Sequence, residues 1–175
     1  SPGWQGLAED ARLASSLCTS ALDVEEVYGH FLAEGLTYGP TFRLMRSAQY
    51  SASSCICRLS VADKKVQSLY LVPPNLIDVM LQCCAVVGMG SSAVHEKNME
   101  SSDTSVPYFS QVAYKFDHVW VRTECIDAMW MHETCLVHVT ARRSESKMSV
   151  FDCSLLSADG EVVMHMKGVY ARAIE

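Results

Sequence analysis

From Pro73 to Gly88 the chain is apolar or cysteine at almost every position, and the only side chains there that carry a charge or a strong hydrogen bond are Asn75, Asp78 and Gln82. Two prolines open the stretch. Pro74 suits a first helical turn, where its missing N–H costs nothing, and Gly88 or Gly90 is the expected stop. The pattern predicts a helix of about four turns, buried on every side. Asp78 and Gln82 lie four residues apart and so share a face of it. An unpaired carboxylate there is costly enough to demand a partner or a raised pKa; a structural Asp satisfied by backbone donors is the plainer alternative.

The rest of the chain reads as a leading segment, one more helix and a run of strands. Residues 1–22 are mixed, with a short helix expected over Leu7–Leu17, and read as a linker ahead of a single domain spanning 23–175. Asp23 is a good N-cap for a helix over Val24–Glu34, with Glu26 three residues on and Gly35 as its stop. Val24, Val27, Tyr28, Phe31 and Leu32 give it one apolar face. Gly35 to Phe42 is a glycine- and proline-punctuated turn carrying Tyr38 and Phe42. Strands are predicted at Phe42–Tyr50 and Ser54–Val61, and a polar surface loop over Ser91–Ser105. Further strands follow at Tyr108–Phe116, His118–Thr123, Met129–Arg142, Ser149–Ser157 and Glu161–Arg172, the last two joined by an Ala158-Asp159-Gly160 hairpin signal. A buried helix among antiparallel strands implies a sheet curled around that helix, an α+β arrangement.

Composition narrows the function. A chain of 175 residues suits one domain; 49% hydrophobic and 19% charged residues with net charge −6 describe a slightly acidic globular protein with no field for gripping a phosphate backbone. Nucleic acid is excluded as the expected partner. There is no apolar run of membrane-spanning length and no basic-then-apolar opening of a signal peptide, so a cytosolic protein without membrane contact is expected. The eight cysteines fall inside strand and helix patterns, without a C-x-x-C pair, and read as buried free thiols rather than disulfides or metal ligands; no metal is expected.

Three motifs in order resemble the dehydratase domain of modular polyketide synthases. Gly35-Leu36-x-Tyr38-Gly39-Pro40-x-Phe42 is similar to that family's Tyr-Gly-Pro-x-Phe stretch, and Pro74-x-Leu76-Ile77-Asp78-x-x-x-Gln82 to its Asp-x-x-x-Gln helix, with Pro73 where His is usual. Val106-Pro107-Tyr108-Phe109-Ser110 stands where the family has Leu-Pro-Phe-Ser, and the strand pair from Phe151 to Val169 resembles the family's ending. The resemblance implies a hotdog fold, specifically the second, C-terminal half of a double hotdog. The family's catalytic histidine belongs to the other half, in a His-x-x-x-Gly-x-x-x-x-Pro motif that occurs at none of the six histidines here.

What the resemblance implies is removal of water from a 3-hydroxyacyl thioester carried on the phosphopantetheine of an acyl carrier protein, with no further cofactor. The absent histidine would be the base, Asp78 the acid and Gln82 its positioning partner, while Tyr38, Pro40, Pro107, Tyr108 and Phe109 would meet the substrate. The expected partners are an acyl carrier protein and the N-terminal hotdog half, and the chain alone is expected to be inactive. A non-catalytic scaffold module and a related cyclase or double-bond isomerase are the alternatives. A stand-alone hotdog hydratase fits poorly, since the Asp-x-Asn-Pro-x-His pattern is missing. An isolated half should expose an apolar sheet edge and self-associate to cover it.

Overall fold

The computed structural model describes residues 2–61, 70–96, 111–130, 132–145 and 148–173. Helix α1 (Trp4–Leu17), strand β1 (Ser20–Leu22) and helix α2 (Val24–Ala33) lead into a 3₁₀ turn (Pro40–Phe42) and the strands β2 (Met45–Tyr50) and β3 (Ser54–Ser60). Helix α3 (Pro74–Glu96), strand β4 (Gln111–Val121), the short helix α4 (Ile126–Trp130) and strands β5 (Thr134–Glu145), β6 (Met148–Leu156) and β7 (Val162–Ala173) follow. The seven strands form one antiparallel sheet in the order β1-β2-β3-β5-β6-β7-β4. It wraps around α3, the hotdog arrangement.

Alternation along the strands sets the two faces. Cys57 and Leu59 of β3, Val137 and Val139 of β5, Cys153 and Leu155 of β6 and Met166 of β7 join Val79, Met80, Cys83 and Val86 of α3 in one buried cluster. Each such aliphatic side chain contributes about 1.5–3 kcal/mol when removed from water. The phase of β7 changes at Gly168, whose φ of 64° lies in the left-handed region. Its N–H donates to Asp152 Oδ1 at 2.8 Å, and the pairing with β6 shifts there. Met164 and Met166 therefore face α3 before the bulge, and Val169 and Ala171 after it.

The second helix forms as its caps predict: Asp23 Oδ1 accepts the Glu25 N–H at 2.9 Å, and the helix stops at Ala33, ahead of Gly35. All eight cysteines are free and buried, and burial pushes the Cys135 thiol up to about 12. They are packing groups.

Several expectations need correcting. Residues 1–22, expected as a linker, are packed into the domain: β1 pairs with β2, and Ala11 and Ala14 of α1 lie on the outer face of the sheet against Ile56, Leu156 and Val162. The central helix does not stop at Gly88 or Gly90 but continues to Glu96, so residues 91–96 are helical rather than loop. Gly90 serves a close approach instead, since a Cβ there would collide with the Tyr50 ring. The two strands expected over Tyr108–Phe116 and His118–Thr123 are, among the described residues, one, Gln111–Val121, because pairing with β7 runs on across Asp117, from Phe116 with Val169 to His118 with Lys167. The strand expected from Met129 begins at Thr134, since residues 126–130 form α4, which buries Met129; His132 sits in a bend, not a strand. Among the described residues, no helix is long and apolar enough to cross a membrane.

Candidate active site

The start of α3 is held by its prolines. The carbonyl of Pro73 accepts the N–H groups of Leu76 at 3.0 Å and Ile77 at 3.3 Å, and Pro74 occupies the first helical position, where no N–H is needed. From that start, Asn75, Asp78 and Gln82 fall on one face. Along that face runs the Pro40–Phe42 turn. Asn75 Nδ2 donates to the Thr41 carbonyl at 3.0 Å and Gln82 Nε2 to the Phe42 carbonyl at 3.2 Å. The same Gln82 nitrogen donates to Asp78 Oδ2 at 2.7 Å. One amide thus ties the carboxyl to the turn, and its short contact with Asp78 is the strongest polar link in the group.

The helix is not buried on every side, contrary to the reading from hydropathy. Val79, Met80 and Cys83 are sealed in the core, but Asp78, Leu81 and Ala85 are only partly buried and border a cavity of about 260 Å³. Phe31 and Leu36 close it on the α2 side, and Ala113, Phe151, Val169 and Ala171 form its floor on the sheet. Mostly apolar walls with a few converging polar groups are the usual make-up of a small-molecule site.

Tyr38 reaches the same cavity. Its ring meets Phe31 edge-on at 5.2 Å and Tyr28 at 6.3 Å, which fixes its direction. Burial, with the Asp78 carboxylate adding to it, pushes the Tyr38 pKa up, so the phenol stays a hydrogen-bond donor. Gln82 is 2% exposed, and its Oε1 is buried without a partner among the described residues. The polar inventory is therefore one carboxyl, one phenol and at least one amide oxygen with no partner among the described residues, a set able to hydrogen-bond a hydroxyl.

Of the residues singled out from the sequence, Asp78, Gln82 and Tyr38 come together. Pro40 does not line the cavity: it opens the 3₁₀ turn on the exposed side and shapes the segment that Gln82 and Asn75 hold. Pro107, Tyr108 and Phe109 lie outside the described residues. One polar wall residue went unrecognised. Gln111, the first residue of β4, lines the cavity with a buried Oε1 that has no partner among the described residues. A lone glutamine at a strand start carries no periodic or spacing signal; only its place just after Val106–Ser110 hinted at it.

A family model described as polyketide synthase dehydratase N-terminal domain matches residues 7–175. Polyketide synthase PksN of Bacillus subtilis is 26% identical over 158 residues, covering 89% of this chain and 2% of that protein. The dehydratase domain from the CurJ module of the curacin polyketide synthase superposes with a TM-score of 0.70 at 15% identity, over 93% of this chain and 52% of that one. Two inactive mutants of the CurK dehydratase, one with a histidine replaced by phenylalanine and one with an aspartate replaced by asparagine, superpose at 0.66 and 14% identity, over 94% of this chain and 52% of theirs. At these identities the solved structures share its fold. The chain spans about half the length of those domains and a small fraction of the curated relative.

Proposed function

The chain belongs to the polyketide synthase dehydratase family, and on that premise we propose that it forms the C-terminal hotdog half of a domain that removes water from a 3-hydroxyacyl thioester. The observation that carries the reading is the Asp78 carboxyl at the wall of an apolar cavity, held at 2.7 Å by Gln82. The family match carries an N-terminal description, so the choice of half rests on the Asp78-x-x-x-Gln82 helix and on the missing histidine motif. A length of about half a solved dehydratase domain fits either half.

In this reading the reaction needs a base for the α-proton and an acid for the departing β-hydroxyl. The histidine of the other half takes the α-proton. With Oδ2 engaged by Gln82, the protonated form of Asp78 is the reactive one in this reading: its Oδ1 proton passes to the departing hydroxyl, the C–O bond breaks, and the products are a 2-enoyl thioester and water, leaving the carboxylate to be reprotonated. Tyr38 donates a hydrogen bond nearby, and apolar walls keep bulk water from competing. That a CurK dehydratase is inactive when one histidine or one aspartate is replaced supports a two-residue division of labour.

The partners that accompany this proposal are an acyl carrier protein, whose phosphopantetheine carries the substrate, and the N-terminal hotdog half. The latter has a surface to meet: Val112, Phe116 and Val119 of the edge strand β4 are exposed, and Val112 also borders the cavity. Eight unpaired thiols suit a reducing, cytoplasmic setting.

Asp78→Asn tests the assignment in the complete parental domain. It keeps the side-chain size and the contact with Gln82 but removes the transferable proton. Dehydration of a 3-hydroxyacyl thioester should fall at least a thousandfold with an unchanged melting temperature; retained turnover would defeat the reading.

A further inference from the structure

Packing does not account for every cysteine. Cys84 of α3, 6% exposed, borders the same cavity as Asp78 and Gln82. Its Sγ lies 3.3 Å from Sγ of Cys153, a fully buried residue of β6 two positions beyond Phe151 of the cavity floor. The Cys84 thiol is also held by its own helix, donating to the Met80 carbonyl one turn back at 3.6 Å. Contact with Cys84, and burial after it, push the Cys153 pKa well above the ordinary thiol range. Cys153 therefore stays a neutral thiol, and Cys84 is the sulfur within reach of whatever enters the cavity.

Another close sulfur pair makes the contrast. Cys55 and Cys57 lie 3.8 Å apart on β3, but both are sealed in the core and neither borders the cavity. Nearness alone gives a reagent no way in. Cys84 and Cys153 combine nearness with access. A disulfide needs its sulfurs about 2 Å apart, so closing the 3.3 Å gap takes a movement of roughly 1 Å.

We propose that Cys84 is an oxidation site within the cavity and that Cys153 resolves it to a disulfide joining α3 to β6. The oxidant is hydrogen peroxide, which a cavity of about 260 Å³ admits. In the first step the Cys84 thiolate attacks one peroxide oxygen. The O–O bond breaks, the leaving oxygen takes up the proton that Cys84 gave up and departs as water, and Cys84 becomes a sulfenic acid. In the second, the Cys153 sulfur attacks the Cys84 sulfur, the S–O bond breaks, and the displaced hydroxide takes the Cys153 proton as a second water. Two thiols lose two electrons and one peroxide is reduced to two waters. The new bond draws α3, which carries Asp78 and Gln82, against the sheet floor. The effect on turnover rests on the thioester reading of the cavity; formation of the bond does not.

The test treats the complete parental domain with hydrogen peroxide, alkylates the remaining thiols under denaturing conditions and maps the peptides by mass spectrometry. A Cys84–Cys153 cross-linked peptide is expected, lighter than its two thiol peptides by two hydrogens and cleaved by dithiothreitol. Dehydration of a 3-hydroxyacyl thioester should fall on the order of a hundredfold, the cost of a 1 Å misplacement, and return on reduction. In Cys153→Ala no bridge forms, and dimedone should label Cys84 as its sulfenic acid. Should that variant fail to fold, the map of the unsubstituted domain decides. Cys84 and Cys153 both still alkylated after peroxide, or a bridge between other cysteines in their place, overturns the proposal. A domain that forms the bridge yet never dehydrates, even when reduced, keeps the oxidation site and loses the dehydratase reading.

Discussion

Gln82 spends both of its amide contacts on placement. Its Nε2 holds Asp78 and the Phe42 carbonyl together, so the carboxyl cannot turn without disturbing the Pro40–Phe42 segment. Gln82→Leu preserves volume and deletes both bonds, leaving the Phe42 carbonyl short of a donor. Turnover in the parental domain should drop ten- to hundredfold through kcat with little change in KM, as expected when positioning rather than ground-state binding is lost; a change confined to KM would contradict this role. Gly168→Ala is a separate check on the sheet. Its Cβ would collide with the Asp117 carboxyl at a residue whose φ is 64°. A loss of about 1–3 kcal/mol should lower the melting temperature by roughly 2–4 °C per kcal/mol, measured by calorimetry. The Asp78–Gln82 pair was legible in the sequence because a spacing of four on a helix is a local rule. Gln111 was not, because only the register of β4 against β7 turns it toward the cavity.

Among the elements, α1 and the strands beneath it enclose two buried histidines. On the outer face of the sheet, His138, Ser154, His165 and Trp120 form a row across β5, β6, β7 and β4. Ser154 Oγ lies 2.9 Å from His165 Nδ1, and His138 Nε2 lies 3.1 Å from Thr140 Oγ1. Burial holds both histidines below their ordinary value of 6.5; nearby Asp10 of α1 opposes this at His138 and Asp152 opposes it at His165, while Lys167 adds to it. A histidine with a lowered folded pKa binds fewer protons folded than unfolded, so stability is fully present above pH 6.5 and is lost as pH falls through and below it. The urea midpoint should therefore fall between pH 7.5 and pH 5.5, and a His138→Gln, His165→Asn double variant should flatten that slope; an identical slope in the variant would rule these two groups out. The alternation of β7 exposed its outward histidine in the sequence. That α1 would lie over the sheet was not readable, because a short helix after Ser1-Pro2-Gly3 has no local mark of where it docks.

Taken as one body, the chain is a sheet wrapped on a helix with one side left unfinished. At the β4 edge, Val112 is 43%, Phe116 39% and Val119 47% exposed, on a strand that among the described residues pairs only with β7. Exposed apolar strands at a sheet edge recruit another chain. The isolated chain is expected to self-associate in light scattering, and Phe116→Lys with Val119→Lys should return it to a monomer; a clean monomer without these changes would contradict the prediction. The amino-acid order alone determined the helices at Val24 and Pro74, the antiparallel strands that follow, and the Asp78–Gln82 face, since caps, hydrophobic periods and spacings of three, four and seven act over a single turn or strand. Tertiary structure decided the length of α3, where the Tyr50 ring rests on Gly90 inside a helix that sequence would end there. It also decided which stripe of that helix is open and which strand-borne groups share its cavity. Those outcomes depend on register between segments far apart in the chain, and pairing energy between distant strands leaves no mark in either one read singly.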